Sequence, residues 1–305
     1  MDQDFSKNLL HVGVLLVLLL GLLLALIFTG ILGCSIVPGG CDIYYLVIKG
    51  GAPTILIAYG ESGMGNHLEL ENILKRRDIL GAQTTIMPID RLSIGNITHY
   101  DLVIVEHAKK ICTSQLKMFQ DYVIRGGRLV WTADAGTDAC EGDSLLLDSE
   151  RNEGGKEETI SPWARKDGNK QVSFDQFIGV NYLANYCEIV QCTPGEEIGR
   201  IEITNDSHKL TYGLSPTIPF YSNFSLVESN KQATTRIVAT FDYGTNIVVN
   251  NAGTTTNYGN DLPFIVTGQI GERVVYYATP LENFVQGERP NKAIIEQMYR
   301  GMLYK

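Results

Sequence analysis

The chain has 305 residues, of which 44% are hydrophobic and 19% charged. This composition excludes a disordered protein and is enough to bury a substantial core in one large domain or two small ones. The formal net charge of −9 argues against a nucleic-acid partner, because phosphate binding needs a basic surface.

An apolar segment near the N-terminus, residues 12–33, is rich in leucine and carries no charge. At about 1.5 Å per helical residue, its length matches the roughly 30 Å hydrocarbon core of a bilayer. The segment predicts one transmembrane helix that contacts membrane lipid, with residues 1–33 as the N-terminal tail and span. The alternative is a cleaved signal peptide, since "ILGC" before and at Cys34 resembles a lipoprotein cleavage site with an acylated cysteine. Signal-peptide apolar regions usually run about 7 to 15 residues, so this one is long.

Every cysteine follows the span, and an even number of cysteines on one side of a membrane indicates an oxidising compartment. Cys34 and Cys41, and likewise Cys187 and Cys192, are close enough in sequence to close small loops. Cys112 and Cys140 follow two neighbouring predicted strands. Other pairings, and buried thiols, remain alternatives. No pair has the CxxC spacing of a zinc or redox site, and no metal is expected. The candidate disulfide residues are Cys34, Cys41, Cys112, Cys140, Cys187 and Cys192.

Three glycosylation sequons, at Asn96, Asn205 and Asn223, also follow the span. Together with the cysteines they favour a cell-membrane protein with residues 34–305 outside the cytoplasm. Turn-forming residues around 34–52 indicate a short tether, and residues 53–305 are predicted to form the folded domain.

Apolar runs of strand length alternate with helical patterns in the first half of this domain. One helix has an apolar face of Leu68, Leu70, Ile73, Leu74 and Leu80. A second, residues 113–125, begins behind a Thr113 cap and ends at two glycines. The alternation predicts a parallel sheet with helices on both faces. The predicted strands are residues 54–59, 84–89, 101–106 and 128–132.

An acidic insertion is predicted at about residues 137–170. Between residues 141 and 158 acidic residues outnumber Arg151 and Lys156, and Gly154 and Gly155 interrupt the chain. This composition is typical of a solvated loop, and a partner or cation site is the alternative. Beyond it the pattern predicts a helix at 174–180, strands at 199–204, 235–241, 264–268 and 273–279, a hairpin turn at 269–272, and a last helix at 291–303.

These pieces together resemble the class I glutamine amidotransferase-like superfamily, and within it the ThuA-like branch. The most specific block is "ITHYDLVIVEHAKKICTSQLKMFQDYVIRGGRLVWTADAG", residues 97–136. Three weaker blocks follow in the same order: "FDQFIGVNY" (174–182), "SHKLTYGL" (207–214) and "GERVVYYAT" (271–279). The resemblance covers about residues 53–303 and implies a flavodoxin-like α/β fold.

The resemblance does not carry the catalytic activity over. A working amidotransferase has a cysteine in a GxCxG elbow after the strand that here is residues 128–132, and this chain has "TADAG" there. Asp134 and Ala135 stand where the cysteine is expected. Cys140 lies several residues too late and Cys112 follows another strand, so a hydrolase with a Cys140 nucleophile is a weak alternative.

Polar residues follow three of the predicted parallel strands, and the ends of such strands converge on one face of a sheet. Of these residues, Glu61, His107 and Asp134 are the catalytic candidates, since carboxylates and histidine suit general acid–base work. The alternative is that they cap loops or face water. The predicted ligand-binding residues are Gly60, Glu61, Ser62, Glu106, His107 and Asp134, with His67 nearby.

The glycine-rich stretch "YGESGMGNHLE", residues 59–69, also resembles the phosphate loop of flavodoxins. Glu61 and His67 occupy its two hydroxyl positions, and Glu61 would repel a phosphate, so no cofactor is expected. Two functions remain open. One is a membrane-tethered, non-catalytic domain that binds a carbohydrate, another small molecule or a partner subunit. The other is a ThuA-like enzyme that acts on a carbohydrate or related small molecule through these acidic and histidine residues.

Overall fold

The computed structural model of the chain describes residues 2–28, 51–147, 161–190, 192–193, 195–251, 254–268, 271–285 and 290–303. The chain divides into two units. The described residues of the first are 2–28 and 51–53, and the second extends from Thr54 to Leu303. Most of the predicted tether, with Cys34 and Cys41, lies outside the described residues.

The first unit contains a long helix, α1 (Asp2–Phe28). Its leucine and valine side chains are largely exposed, for example 65% for Leu15 and 72% for Val17. Within the part of the chain that the structure describes, no helix has both the length and the apolarity to cross a bilayer. The transmembrane helix predicted over residues 12–33 is therefore not supported. Its first part, up to Phe28, belongs to α1, and the remainder lies outside the described residues.

Strands and helices alternate at the start of the second unit, as the apolar pattern predicts. Strand β1 has the predicted bounds, and the bounds of the other three strands lie within one residue of the predicted ones. The elements are β1 (Thr54–Tyr59), α2 (His67–Lys75), β2 (Gln83–Pro88), a 3-10 helix (Ile89–Arg91), α3 (Ile94–Ile97), β3 (Leu102–Val105), α4 (Thr113–Ile124) and β4 (Leu129–Thr132).

Helix α2 is shorter than its apolar pattern indicates. Asn66 caps it, because its side chain accepts hydrogen bonds from the backbone N–H groups of Leu68 and Glu69. The helix ends at Lys75, where Arg76 turns to an extended conformation. Leu80 therefore lies beyond the helix, and Leu68 is 52% exposed. The buried face consists of Leu70, Ile73 and Leu74.

The acidic insertion contains a small sheet where the sequence predicts a solvated loop. Its described strands are β5 (Ser144–Leu145), β6 (Ala164–Asp167) and β7 (Lys170–Ser173), paired antiparallel in that order. Arg165 is fully buried, donates to the carbonyl oxygen of Gly136 at 2.6 Å and pairs with Asp143 at 3.3 Å. These contacts fold the insertion against the end of β4.

The second half of the unit is richer in strands than its pattern indicates. Beyond the predicted elements it contains the two-stranded ribbon β8–β11, strand β10 and the hairpin β13–β14. The elements are α5 (Phe174–Ile178), β8 (Val180–Asn185), α6 (Tyr186–Ile189), β9 (Gly199–Ile203), β10 (Thr217–Phe220), β11 (Ser225–Ser229), β12 (Thr235–Asp242), β13 (Val248–Asn251), β14 (Thr254–Asn257), β15 (Asp261–Gly268), β16 (Val274–Tyr277), a 3-10 helix (Leu281–Phe284) and α7 (Lys292–Leu303).

The main sheet has nine strands in the order β10-β9-β12-β15-β16-β4-β3-β1-β2. From β2 to β16 neighbouring strands are parallel, which confirms the predicted parallel sheet for this half. From β16 to β10 they are antiparallel. The predicted parallel sheet is thus continued by antiparallel strands into a mixed sheet. The antiparallel pair β15–β16 agrees with the hairpin predicted for this part of the sequence, whereas the antiparallel pairing of β12, β9 and β10 was not predicted.

Two disulfides lie among the described residues, Cys112–Cys140 and Cys187–Cys192, with Cα–Cα distances of 4.9 Å and 5.3 Å. These are two of the pairs that the sequence indicates, and no described cysteine is free. Cys112 is also the N-cap of α4, a position expected for Thr113. The first disulfide therefore joins the start of α4 to the first residues of the insertion.

The two tryptophans lie side by side at the junction of β4 and the insertion. Trp131, on β4, and Trp163, beside β6, are both fully buried. Each indole N–H donates to the carbonyl oxygen of Ala135 at 2.8 Å. One backbone carbonyl thus accepts from both indole N–H groups. Burying either N–H group without a partner would cost folding free energy.

Candidate functional site

The segment between β1 and α2, residues 60–66, is here called the glycine loop. It is held against the segment that follows β3 by three backbone hydrogen bonds. Gly60 donates to the carbonyl oxygen of His107 at 2.9 Å, His107 donates to that of Met64 at 3.0 Å, and Lys109 donates to that of Ser62 at 2.7 Å. The predicted convergence of these two strand ends is therefore present.

Two glycines allow this close approach. Gly63 and Gly65 have φ values of +122° and +104°, which L side chains rarely adopt. A Cβ on Gly63 would lie 2.9 Å from the backbone nitrogen of Ala108. A Cβ on Gly65 would lie 2.5 Å from Cγ of Glu106. The loop therefore lies directly over the Glu106 side chain.

Asp134 lies at the end of β4 and is buried, with both carboxylate oxygens bound by protein donors. Its Oδ1 accepts from the backbone N–H of Met64 at 2.8 Å, and its Oδ2 accepts from Nδ2 of Asn185 at 3.1 Å. Oδ1 of Asn185 in turn accepts from the hydroxyl of Ser225 at 2.9 Å. Asp134 therefore ties the glycine loop to the ribbon β8–β11.

The residue directly after β4 is Ala133, and it adopts a left-handed conformation with φ of +51°. This conformation is strained for a residue with a side chain, and such a turn after a strand is where a nucleophile elbow places its catalytic residue. The family resemblance predicts Asp134 and Ala135 at the position of the catalytic residue. In the structure the strained residue is Ala133, one residue earlier in the chain. Ala133 is fully buried and offers only a methyl group.

Glu106 and Glu282 form a buried carboxyl pair beneath the glycine loop. Glu282 accepts from the backbone N–H of Asn66 at 2.7 Å. Neither oxygen of Glu106 has a hydrogen-bond partner among the described residues. Burial beside a second carboxyl group disfavours the ionisation of both acids at once.

The pKa values of both glutamates are raised. Burial is the main cause for Glu106, whose pKa lies well above its ordinary value, and the charge of Glu282 adds to it. Burial also raises the pKa of Glu282 to about 7, against the opposing effect of the N–H of Asn66. Both shifts favour the protonated form, so the pair resists ionisation at a pH where an exposed glutamate is charged.

His67 and His107 lie on the outer side of this arrangement. The His67 ring stacks on Tyr59 at a centroid distance of 3.9 Å and lies 5.7 Å from the ring of His107. Burial lowers the pKa of His67, and the neighbouring His107 lowers it further. The Nδ1 atoms of both rings are buried without a hydrogen bond among the described residues.

The structure gathers some of the predicted site residues and separates others. Glu106, His107 and Asp134 lie against the glycine loop, to which Gly60 belongs. Glu61 and Ser62, in the same loop, are exposed. The sequence did not indicate Glu282 or Asn185, because each reaches the site from a segment with no motif of its own. Within the described ranges, no group of three or more His, Cys, Asp or Glu side chains is arranged to hold a metal ion.

The glycine loop is similar in position to a phosphate loop, but its amides are engaged by the protein. The N–H of Met64 binds Asp134 and the N–H of Asn66 binds Glu282. An approaching phosphate would have to compete with these two carboxylates. The loop as it stands thus binds internal acids at the place where a phosphate loop binds its anion.

This mixed sheet, with a glycine loop and a strained turn at the carboxyl ends of its parallel strands, defines an α/β domain of the glutamine amidotransferase-like fold. The structure is similar to that of a ThuA-like protein from Bacteroides uniformis, with a TM-score of 0.55 and 16% sequence identity over 82% of this chain and 92% of that chain. At this identity the similarity shows the fold alone.

Larger enzymes share the fold over part of their length. The β-galactosidases from Bacillus circulans sp. alkalophilus and Rahnella sp. R3 have TM-scores of 0.51 and 0.52 and are each 13% identical. The similarity covers 82% and 86% of this chain but 30% and 33% of theirs, so this chain spans about a third of those enzymes. No protein-family model and no curated protein matches the sequence.

Proposed function

We propose that this chain is a non-catalytic binding protein built on the amidotransferase-like fold. The observation that carries the proposal is Ala133. The strained backbone after β4 is retained, with φ of +51°, but the side chain that it presents is a methyl group. Asp134, the next residue, cannot replace a nucleophile, because protein donors occupy both its oxygens.

The ligand that fits this proposal is a carbohydrate, another small molecule or a partner subunit. The β-galactosidases among the similar structures act on a carbohydrate, as their names state, which favours that class. The exposed residues Glu61 and Ser62 provide a carboxylate and a hydroxyl on the outer side of the glycine loop, the types of group that bind sugar hydroxyls.

We also propose that α1 attaches the chain to a membrane, with residues 34–305 outside the cytoplasm. The exposed leucines of α1 support this, since a continuous apolar helix surface is unfavourable in water. The two disulfides favour an oxidising compartment. Leu16→Arg with Leu18→Arg should release the protein from membranes during alkaline carbonate extraction, whereas alanine at both positions should not.

A second function, a small-molecule enzyme, is favoured by the two histidines. Their rings lie 5.7 Å apart beside the glycine loop, and the lowered pKa of His67 keeps its imidazole neutral and able to accept a proton. In this alternative His67 is the general base, and His107 positions the substrate.

One experiment separates the two functions. The full chain in a non-ionic detergent is assayed for ammonia release from glutamine and for cleavage of p-nitrophenyl β-D-galactoside. We expect no turnover, and no difference between the wild type and the variants Glu61→Gln, His67→Ala and His107→Ala. Turnover that the histidine variants abolish, while Glu141→Gln on an exposed loop leaves it unchanged, would establish the enzyme instead.

A further inference from the structure

A cavity of about 410 Å³ lies between the ribbon β8–β11, strands β12 and β15, and the chain around the end of β14. Its volume is typical of small-molecule sites, which range over roughly 300–1,000 Å³. None of its lining residues belongs to the glycine loop or to the cluster around Asp134 and Glu282. The cavity is therefore separate from the site on which the proposed function rests, and a ligand bound there would add to that function.

The inner wall of the cavity is apolar. Val227 and Leu262 are 0% and 5% exposed, and the buried Pro263 lies beside them. Pro263 has no backbone N–H, so this wall offers an apolar ring where another residue would offer a donor. A ligand that fills the cavity must present apolar groups to this wall.

The charged groups among the described residues that line the cavity are acidic. Glu228 and Asp261 line it and are exposed, and none of the described lining residues is a lysine, arginine or histidine. Nδ2 of Asn181 donates to Oε1 of Glu228 at 3.2 Å. No salt bridge among the described residues includes Glu228 or Asp261, so that part of the protein does not balance these charges.

A third carboxylate adds to the negative charge. Asp242 lies directly opposite Asp261 in the β12–β15 ladder, where like charges destabilise the pairing. On its other side Asp242 is paired in register with Arg200 of β9, whose guanidinium is hydrogen-bonded to Glu197 at 3.3 Å. Arg200 therefore offsets Asp242 in part and lies one strand further from Asp261.

An aromatic ring and two strand irregularities complete the cavity. Tyr258 is half-buried in its wall, and an aromatic face attracts cations. The register shifts in β11 between Leu226 and Val227, and in β12 on either side of Ala239. Such bulges re-aim side chains and recur beside binding sites.

We propose that this cavity binds a small organic cation with apolar substituents on its charged nitrogen. The substituents pack on Leu183, which is 37% exposed, and on Leu262, while the positive charge faces Asp261, Glu228 and the ring of Tyr258. A neutral molecule of the same shape would gain the apolar contacts alone. An anion would be repelled by both carboxylates.

Choline and its neutral carbon isostere, 3,3-dimethyl-1-butanol, test this directly. The full chain in a maltoside detergent is titrated with each compound by isothermal calorimetry at low and at moderate salt. We expect saturable 1:1 binding of choline that weakens as salt rises, and at least about fivefold weaker binding of the neutral isostere. Equal affinities for the two compounds, or no saturable choline binding at millimolar concentration, would overturn the proposal.

Neutral variants locate the binding. Asp261→Asn and Glu228→Gln should each weaken choline binding at least about threefold, and Tyr258→Leu about two- to fivefold. Glu141→Gln, an exposed acid outside the cavity, is the matched control and should bind as the wild type does. All three cavity residues lie at or near the surface, and circular dichroism confirms that each variant folds. Wild-type affinity in both carboxylate variants rejects this cavity as the site.

Discussion

The buried carboxyl group of Glu106 lies close to that of Glu282, and the backbone N–H of Asn66 binds Glu282 at 2.7 Å. Three segments distant in sequence therefore meet at one pair of acids: the end of β3, the glycine loop and the 3-10 helix before α7. Because the pair is buried, ionising it costs folding free energy.

This pair should make stability depend on pH. A glutamate whose pKa is higher in the folded chain binds its proton more tightly there, so its contribution is complete below about pH 4.5 and is lost as pH rises towards 7. At about 1.4 kcal/mol per pH unit, the loss is on the order of 3 kcal/mol. Urea unfolding of the wild type should show this decline, and Glu282→Gln should show a shallower one, because only the share of Glu106, whose pKa burial also raises, remains. The same decline in Glu282→Gln would assign it to other groups.

Asp134 should matter for stability rather than for chemistry. Asp134→Asn places an amide donor against either the N–H of Met64 or the amide of Asn185, which leaves a buried donor unpaired. We expect a loss of about 1–3 kcal/mol in the free energy of unfolding. Asp138→Asn, four residues along and exposed, should change stability by less than about 0.5 kcal/mol. Comparable losses in the two variants would contradict the anchoring role.

The glycine loop should not tolerate a side chain at residue 65. Gly65→Ala places a Cβ 2.5 Å from Cγ of Glu106 at a φ of +104°. Gly142 is the matched control, because it has a φ of +87° and nothing within 4 Å of its Cβ position. Alanine at 142 should cost about 1 kcal/mol from backbone strain alone, and alanine at 65 should cost about 1–3 kcal/mol more from overpacking. Similar thermal midpoints for both variants would place the loop further from Glu106.

The two disulfides should differ in their contribution. Cys112 and Cys140 are 28 residues apart and Cys187 and Cys192 are 5 apart, and a longer closed loop restricts the unfolded chain more. Replacing the first pair by serine should cost about 3.5 kcal/mol and replacing the second about 2 kcal/mol. Urea unfolding without reductant measures both. The reverse order would indicate that native contacts, rather than loop length, set these values.

The sequons should differ in their accessibility to glycosylation. Oδ1 of Asn223 accepts from the backbone N–H groups of Cys187 and Phe224, and the hydroxyl-bearing Ser225 is 1% exposed. Asn205 and Ser207 lie in an exposed turn, where Oδ1 of Asn205 accepts from the N–H of Ser207 at 3.2 Å. In a eukaryotic secretory host, mass spectrometry should find glycan at Asn205 and none on folded Asn223. A glycan at Asn223 would show modification before folding.

Local patterns were enough to predict the parallel half of the sheet. Residues 54–59 are a continuous apolar run between a proline and a glycine, and β1 has those bounds. The ribbon β8–β11 was missed because Asn181 and Asn185 interrupt any alternation. Glu282 was missed for a different reason. Its partner Glu106 is far away in sequence, and only the folded chain brings the two carboxyl groups together.

The shared acceptor of the two indoles gives the protein a built-in optical probe. Trp131 and Trp163 are the only tryptophans in the chain, and both donate to the carbonyl oxygen of Ala135, one residue beyond Asp134. Their intrinsic fluorescence therefore reports on a single small region, the junction of β4 with the insertion. A shift of the emission maximum towards the red, before the loss of far-ultraviolet circular dichroism, would record the opening of this junction ahead of global unfolding.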